Sequence, residues 1–352
     1  MPQRYLHIDI AKGLVILLVV LTHNSYVFEN KEVVSIIKSF TIPLFCFLSG
    51  LFFNPSRSFI STVGNRSDTL LKPYLVTLIF LGIAYLFYKD INLSEYIFDV
   101  IWSNGRGINW VTMWFLTHLF ALTMFAWLIN YIFDKLRVNN IIRYIILVGL
   151  LIIGINTKDF FWMKEITFQG ETYLLRGLPF SADFILITVF FFLMGHRMKD
   201  SVISFKPSNF LLMLALLTFV LLHIFFNKTI DVFERSYDGV IIPTIEAISG
   251  IYLILSISYL VQSWSKLTRL LAYIGEASLF LLIFHIFFQY RAFRLAEAVF
   301  GNGPITASFA FLVGIFMPVL LYTLVKKVDF LALFYLPLKS NKLIKQHTNA
   351  FN

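Results

Sequence analysis

The sequence predicts an all-α fold, that of a polytopic integral membrane protein with about ten transmembrane helices, and three observations carry the prediction. Of the 352 residues, 58% are hydrophobic and only 14% are charged, more apolar surface than one soluble core of this length can bury. The apolar residues fall in runs near the roughly 20 residues that a helix needs to cross the hydrocarbon layer. With no water there to satisfy backbone groups, a spanning segment is a helix or part of a closed barrel, and long unbroken runs select helices. Third, Lys and Arg gather in alternate loops, as they do on the cytoplasmic side of membrane proteins.

Helix one is expected at residues 8–28, in RYLHIDIAKGLVILLVVLTHN. It opens like a signal peptide, basic and then apolar, but THNSYVFEN follows in place of a small-residue cleavage site, so the segment is expected to stay as a helix. Helix two, at 34–53, holds FTIPLFCFLSGLFF, and helix three, at 73–88, opens at the proline of KPY. Helices four to ten are expected at 112–133, 141–155, 182–198, 210–226, 240–264, 270–290 and 305–325. Forty Phe and 16 Tyr suit their lipid-facing and interfacial positions.

Basic residues test this order. Arg57, Arg66 and Lys72 lie between helices two and three; Lys135, Arg137 and Arg143 between four and five; Arg197, Lys199 and Lys206 between six and seven. Lys266 and Arg269 continue the pattern, and Lys326, Lys327, Lys339, Lys342 and Lys345 follow helix ten, so both termini are expected to be cytoplasmic. The formal net charge of +9 is thereby ascribed to membrane topology and not to nucleic acid, since the basic residues form no single patch. One membrane domain is expected at 1–325 and a short basic cytoplasmic tail at 326–352; no internal repeat or low-complexity tract interrupts them. The single Cys46 excludes an intramolecular disulfide.

Two long loops, 89–111 and 156–181, carry Trp102, Trp110, Trp162, Arg106, Arg176, Glu165 and Gln169. Aromatic and polar side chains together suit stacking on a sugar and hydrogen bonding to it, although Trp at a membrane interface has the same appearance.

Helix one holds the groups least at home in lipid. The eleven steps from Lys12 to His23 make about three turns, placing both on one face roughly 16 Å apart, and Asp9 joins that face one turn earlier. Intramembrane ionisable groups point to a functional site. The plainer alternative is a Lys12 that snorkels to the surface beside Asp9 and a His23 that meets the far interface. With the N-terminus inside, the stripe would suit a long donor such as an acyl-coenzyme A entering from the cytoplasm, its phosphates held by Lys12, Arg66 and Lys72. His23 would then deprotonate a sugar hydroxyl, since imidazole titrates near working pH.

Other polar groups are open to two readings. Glu246, in VIIPTIEAISG, should pair, protonate or line a cavity. His285 is either a packed histidine or a site residue, and Trp114 shapes an acyl pocket or fills the core. His118 and His223 read as structural, and Ser49 and Gly50 as small residues permitting close helix approach. No metal-ligand spacing, phosphate-binding loop or nucleophile elbow is evident, and an acyl-Cys46 intermediate is disfavoured because no cation or base lies beside it in sequence.

DIAKGLVILLVVLTH resembles the first signature of the membrane acyltransferase-3 superfamily, a basic residue and a histidine ten intervening residues apart, here Lys12 and His23. PLFCFLSG, KPY, MWFLTHLF and GEASLFLLIFH follow in the order of the family's later signatures. The Lys form, with Asp three residues before it, is similar to the branch containing fucose 4-O-acetylase and related sugar O-acetyltransferases. The resemblance implies a bacterial cytoplasmic-membrane enzyme that O-acylates a cell-envelope carbohydrate or its lipid-linked precursor from acetyl-CoA, without a metal. It implies that Lys12 orients the donor and His23 is the catalytic base. Glu246 is taken as a second catalytic candidate, and Asp9, Asn24, Trp110, Trp114, Arg176 and His285 as substrate-binding candidates. Membrane lipid is the remaining expected partner. The competing expectation is a transporter or flippase for a lipid-linked sugar or small polar solute, using Glu246 and the same stripe; the broken inverted repeats common in transporters are not visible.

Overall fold

The computed structural model describes residues 5–88, 91–105, 108, 110–168, 171–226 and 230–338. Among these residues, nine helices are long and apolar enough to cross a membrane: α2 (Lys31–Leu51), α3 (Phe59–Tyr88), α5 (Val111–Lys135), α6 (Asn140–Thr157), α7 (Pro179–Arg197), α8 (Asn209–Phe226), α9 (Ile241–Val261), α11 (Ser278–Phe300) and α12 (Pro304–Lys327). Helix α1 (Leu6–Thr22) precedes them at 17 residues, α4 (Leu93–Trp102) follows α3, α10 (Ser265–Glu276) precedes α11, and α13 (Asp329–Tyr335) closes the described chain. The protein is an all-α polytopic membrane protein.

The described chain falls into two compact units, Met1–Phe52 with Phe191–Tyr322, and Phe53–Phe190 with Thr323–Asn352. In the first, α1 is the central element. It is buried on nearly every side, as expected for a helix that is apolar apart from the face holding Asp9 and Lys12, and it packs against α2, α9, α10 and α11. Its closest crossing is with α10. A Cβ on Gly13 would lie 2.2 Å from the Leu271 carbonyl oxygen, and one on Gly275 would lie 2.0 Å from that of Asp9. Only glycine at both positions lets the two backbones meet. Gly50 of α2 and Gly195 of α7 make a second crossing of this kind, each against the other helix's backbone, at Phe192 and Phe47.

Several expected boundaries move, each for a local reason. Helix one ends at Thr22 and not at residue 28. There the Thr22 hydroxyl donates back to the Val19 carbonyl (2.8 Å), and Asn24 caps a separate short turn, Ser25–Phe28, by accepting from the Tyr26 N–H (3.2 Å). Helix three begins 14 residues earlier than expected, at Phe59 and not at Pro73. Pro73 lacks an N–H for the helical ladder, and a π-helical turn, Ser67–Leu71, precedes it where the ladder must be rearranged. Arg66 and Lys72 therefore stand on a helix and not in a loop. The helix expected at 270–290 is broken at Ala277 (φ −81°, ψ 3°), which separates amphipathic α10 from α11.

The second unit contains α3 to α6 and the loop expected at 156–181. Part of that loop is a hairpin of β1 (Trp162–Phe168) and β2 (Glu171–Arg176), antiparallel with Trp162 opposite Arg176. Arg106 and Gln169 lie outside the described residues.

Candidate functional site

The first unit brings six of the expected site residues into one body: Asp9, Lys12, His23, Asn24, Glu246 and His285. Asp9 and Lys12 stand one turn apart on α1, Lys12 Nζ 3.7 Å from an Asp9 carboxylate oxygen. The ammonium also lies 5.2 Å from the centre of the Phe52 ring, within cation–π range.

His23 directly follows the last residue of α1 and is partly exposed. Its Nδ1–H donates to the Val19 carbonyl, 2.9 Å away and one turn back. This fixes the tautomer and leaves Nε2 with its lone pair, the form in which imidazole accepts a proton. His285 meets it edge-on, with ring centres 5.0 Å apart and planes at 72°. The fully buried His285 ring is oriented in the same way, its Nδ1–H donating to the Leu281 carbonyl at 2.6 Å, and among the described residues its Nε2 has no hydrogen-bond partner.

Gln289, one turn beyond His285 on α11, is a member that sequence reasoning missed. Its amide donates to the Val20 carbonyl of α1 (3.3 Å), while its buried Oε1 has no partner among the described residues. The signal was present: a Gln four residues after a His, in the apolar run LLIFHIFFQY, shares its helix face. Buried polar atoms are normally paired, and those left open mark places where a ligand or water completes the set. Both such atoms belong to residues that meet α1 near its end, His285 at His23 and Gln289 at Val20.

Asn24 is committed to the fold. Its Oδ1 caps the turn after His23, and its Nδ2 donates to the Ala307 carbonyl of α12 at 2.8 Å. Glu246 is fully buried, and His223 of α8 bridges it to exposed Glu32: Nδ1 to Glu246 Oε1 at 2.9 Å, Nε2 to Glu32 Oε1 at 3.1 Å. The second Glu246 oxygen has no partner among the described residues.

The other expected residues belong to the second unit. Lys72 donates to Asp68 Oδ1 and to the Leu336 carbonyl, each at 2.6 Å, which uses two of its three donors. Arg66 stands six residues before it on the same long helix. Trp114 is buried against Phe115 and His118, a core position. Trp110 is partly exposed. Arg176 lines a cleft of about 430 Å³ with Asp99, Trp102 and Asn104. Burial holds the Asp99 pKa above the usual carboxylate range, although the Arg176 charge works against it. Cys46 is buried in α2. Among the described residues no group of three or more His, Cys, Asp or Glu side chains is placed to hold a metal ion.

A family model described as an acyltransferase domain matches residues 5–324, nearly the whole chain. No curated protein matches the chain, and no solved structure does.

Proposed function

The chain belongs to the acyltransferase-3 family and is a membrane acyltransferase, and from that premise we propose that it transfers an acetyl group from cytoplasmic acetyl-CoA to a hydroxyl of an envelope carbohydrate or its lipid-linked precursor. The observation that carries the reading is the tautomer of His23. A carbonyl holds its Nδ1–H and so keeps Nε2 available as a general base.

The acceptor hydroxyl gives its proton to His23 Nε2 as its oxygen attacks the thioester carbonyl carbon. The C–S bond breaks, and the imidazolium returns the proton to the departing thiolate, so ester and free thiol form with no net charge change. His285 Nε2 is an acceptor and serves to orient the hydroxyl beside His23. Lys12, some 16 Å back along α1, engages the donor, with Asp9 setting its position. Arg66 and Lys72 remain candidates for the donor's phosphates on charge alone, and Trp110 and Arg176 for contacts with the acceptor. Trp114 and Asn24 are better explained by packing and capping. Glu246 is better explained by its bond to His223 than by contact with substrate.

The Lys12 and Asp9 pair supports the branch that includes fucose 4-O-acetylase, and the loop charges support a bacterial cytoplasmic membrane with both termini inside. The transport alternative gains no support from the family match.

Mass spectrometry of envelope glycans from cells with and without the protein tests the reading; an acetyl increment that requires the protein is expected, and identical glycans would defeat it. Replacing Lys12 with Ala is expected to raise the KM for acetyl-CoA about tenfold, the loss of one charge-assisted contact. An unchanged KM removes that role.

A further inference from the structure

A cleft of about 550 Å³ opens in the first unit beside the end of α1, within the roughly 300–1,000 Å³ of small-molecule sites. Its walls include Phe28, Lys31, Ser35 and Lys38 from the segment after His23, and Asp231 and Glu234 from the connection between α8 and α9. Lys31, Ser35 and Lys38 recur at steps of four and three along α2, so they share one face of that helix.

The cleft has a prepared polar centre. Asp231 Oδ1 accepts from the backbone N–H groups of Phe233 (3.0 Å) and Glu234 (3.2 Å), which fixes the carboxylate, and Oδ2 accepts from Lys38 Nζ at 2.6 Å. Asp231 is the only hydrogen-bond partner of Lys38 among the described residues, so two of its three ammonium hydrogens are left for a ligand. The Ser35 hydroxyl oxygen is shielded from solvent and has no partner among the described residues. Phe28, 60% exposed, supplies an apolar wall. The cleft adjoins the end of α1, because Phe28 in its wall belongs to the short turn Ser25–Phe28 that follows His23 and Asn24.

From this arrangement we infer that the cleft is the acceptor site, and that it takes a neutral sugar residue whose hydroxyls meet Lys38, Asp231 and Ser35 while its apolar ring face rests on Phe28. The lining carries two cations, Lys31 and Lys38, and two anions, Asp231 and Glu234. That balance suits an uncharged polyhydroxylated ring over a phosphate or a carboxylate. The inference rests on the acyl-transfer reading and adds where the acceptor binds and of what class it is.

The test uses the full chain in its own membranes, acetyl-CoA as donor, and envelope glycan stripped of esters by mild base as acceptor, titrated by mass. Lys38→Gln and Phe28→Ala are each expected to raise the KM for glycan about tenfold while the KM for acetyl-CoA stays within twofold. Phe28→Ala decides the matter if Lys38→Gln does not accumulate, since Phe28 is a surface side chain. An unchanged glycan KM in the accumulating variants overturns the acceptor site and leaves the transfer reading intact. Glycan that gains no acetyl group from the unsubstituted protein instead overturns the transfer reading, and transfer that persists after His23→Ala overturns His23 as its base. A glycan KM of the unsubstituted protein that stays unchanged when the acceptor is pre-treated to remove neutral sugars contradicts the assigned class.

Discussion

Two histidine clusters in the same unit solve the burial of imidazole in opposite ways. His223 stands between two carboxylates, Glu32 at one nitrogen and Glu246 at the other. Both of its ring nitrogens are occupied, so it has no nitrogen left to offer a substrate. Among the described residues His23 and His285 have no carboxylate at hydrogen-bond distance; a backbone carbonyl one turn back holds Nδ1 of each. Among the described residues neither Nε2 has a hydrogen-bond partner, and the two rings meet edge-on with centres 5.0 Å apart. A clamped imidazole stabilises the packing of helices, whereas an imidazole tethered at one nitrogen keeps a lone pair for chemistry.

The comparison is sharpened most by His23→Ala. It removes the proposed general base and is expected to lower acetyl transfer by about 10²–10⁴-fold, measured as label moved from acetyl-CoA to glycan, with the protein still present in the membrane. His285→Ala removes an orienting acceptor and is expected to cost about tenfold in the same assay, the size of one neutral hydrogen bond. Glu246→Ala works on the other cluster. It is expected to lower stability in detergent by about 1–3 kcal/mol, because buried His223 loses a partner, while transfer per folded molecule changes little. Glu32→Gln should be the mildest, within about 1 kcal/mol, since Glu32 is exposed and surface ion pairs contribute little. If Glu246→Ala instead silenced transfer in protein that remained fully folded, the division between the clusters would be wrong.

Apolar length made the spanning helices visible in the sequence, and an ionisable residue in an apolar run made Lys12 and His23 visible. The break at Ala277 was hidden, because no proline marks it and apolar residues resume at Leu279 after only Glu276 and Ser278 on either side. What sets α10 against α1 is the meeting of Gly13 and Gly275 with backbone atoms far away in sequence. The early end of helix one was hidden for a related reason: a cap on Asn24 and its bond to Ala307, 283 positions away, leave no trace in hydropathy. The π turn before Pro73 likewise let a helix continue where proline chemistry suggested a start.

The site was legible to the same degree. Lys12 and His23, the proposed cation and base, stood out in the sequence, but Lys38 and Asp231 are 193 positions apart, and each alone reads as a solvated charge. The aromatic loops drew attention as sugar platforms because Trp is conspicuous, while a single Phe28 beside a Lys and Asp pair is not.

The central claim is that the open imidazole at the end of α1 performs the transfer and the clamped one does not. It is tested most directly by following labelled acetyl from acetyl-CoA into envelope glycan in membranes holding equal amounts of His23→Ala or His223→Ala protein. The account predicts that the His23 variant transfers label at least about a hundredfold more slowly than the unsubstituted protein and that the His223 variant transfers it within a few-fold. Equal transfer by the two variants, or loss confined to the His223 variant, would contradict it.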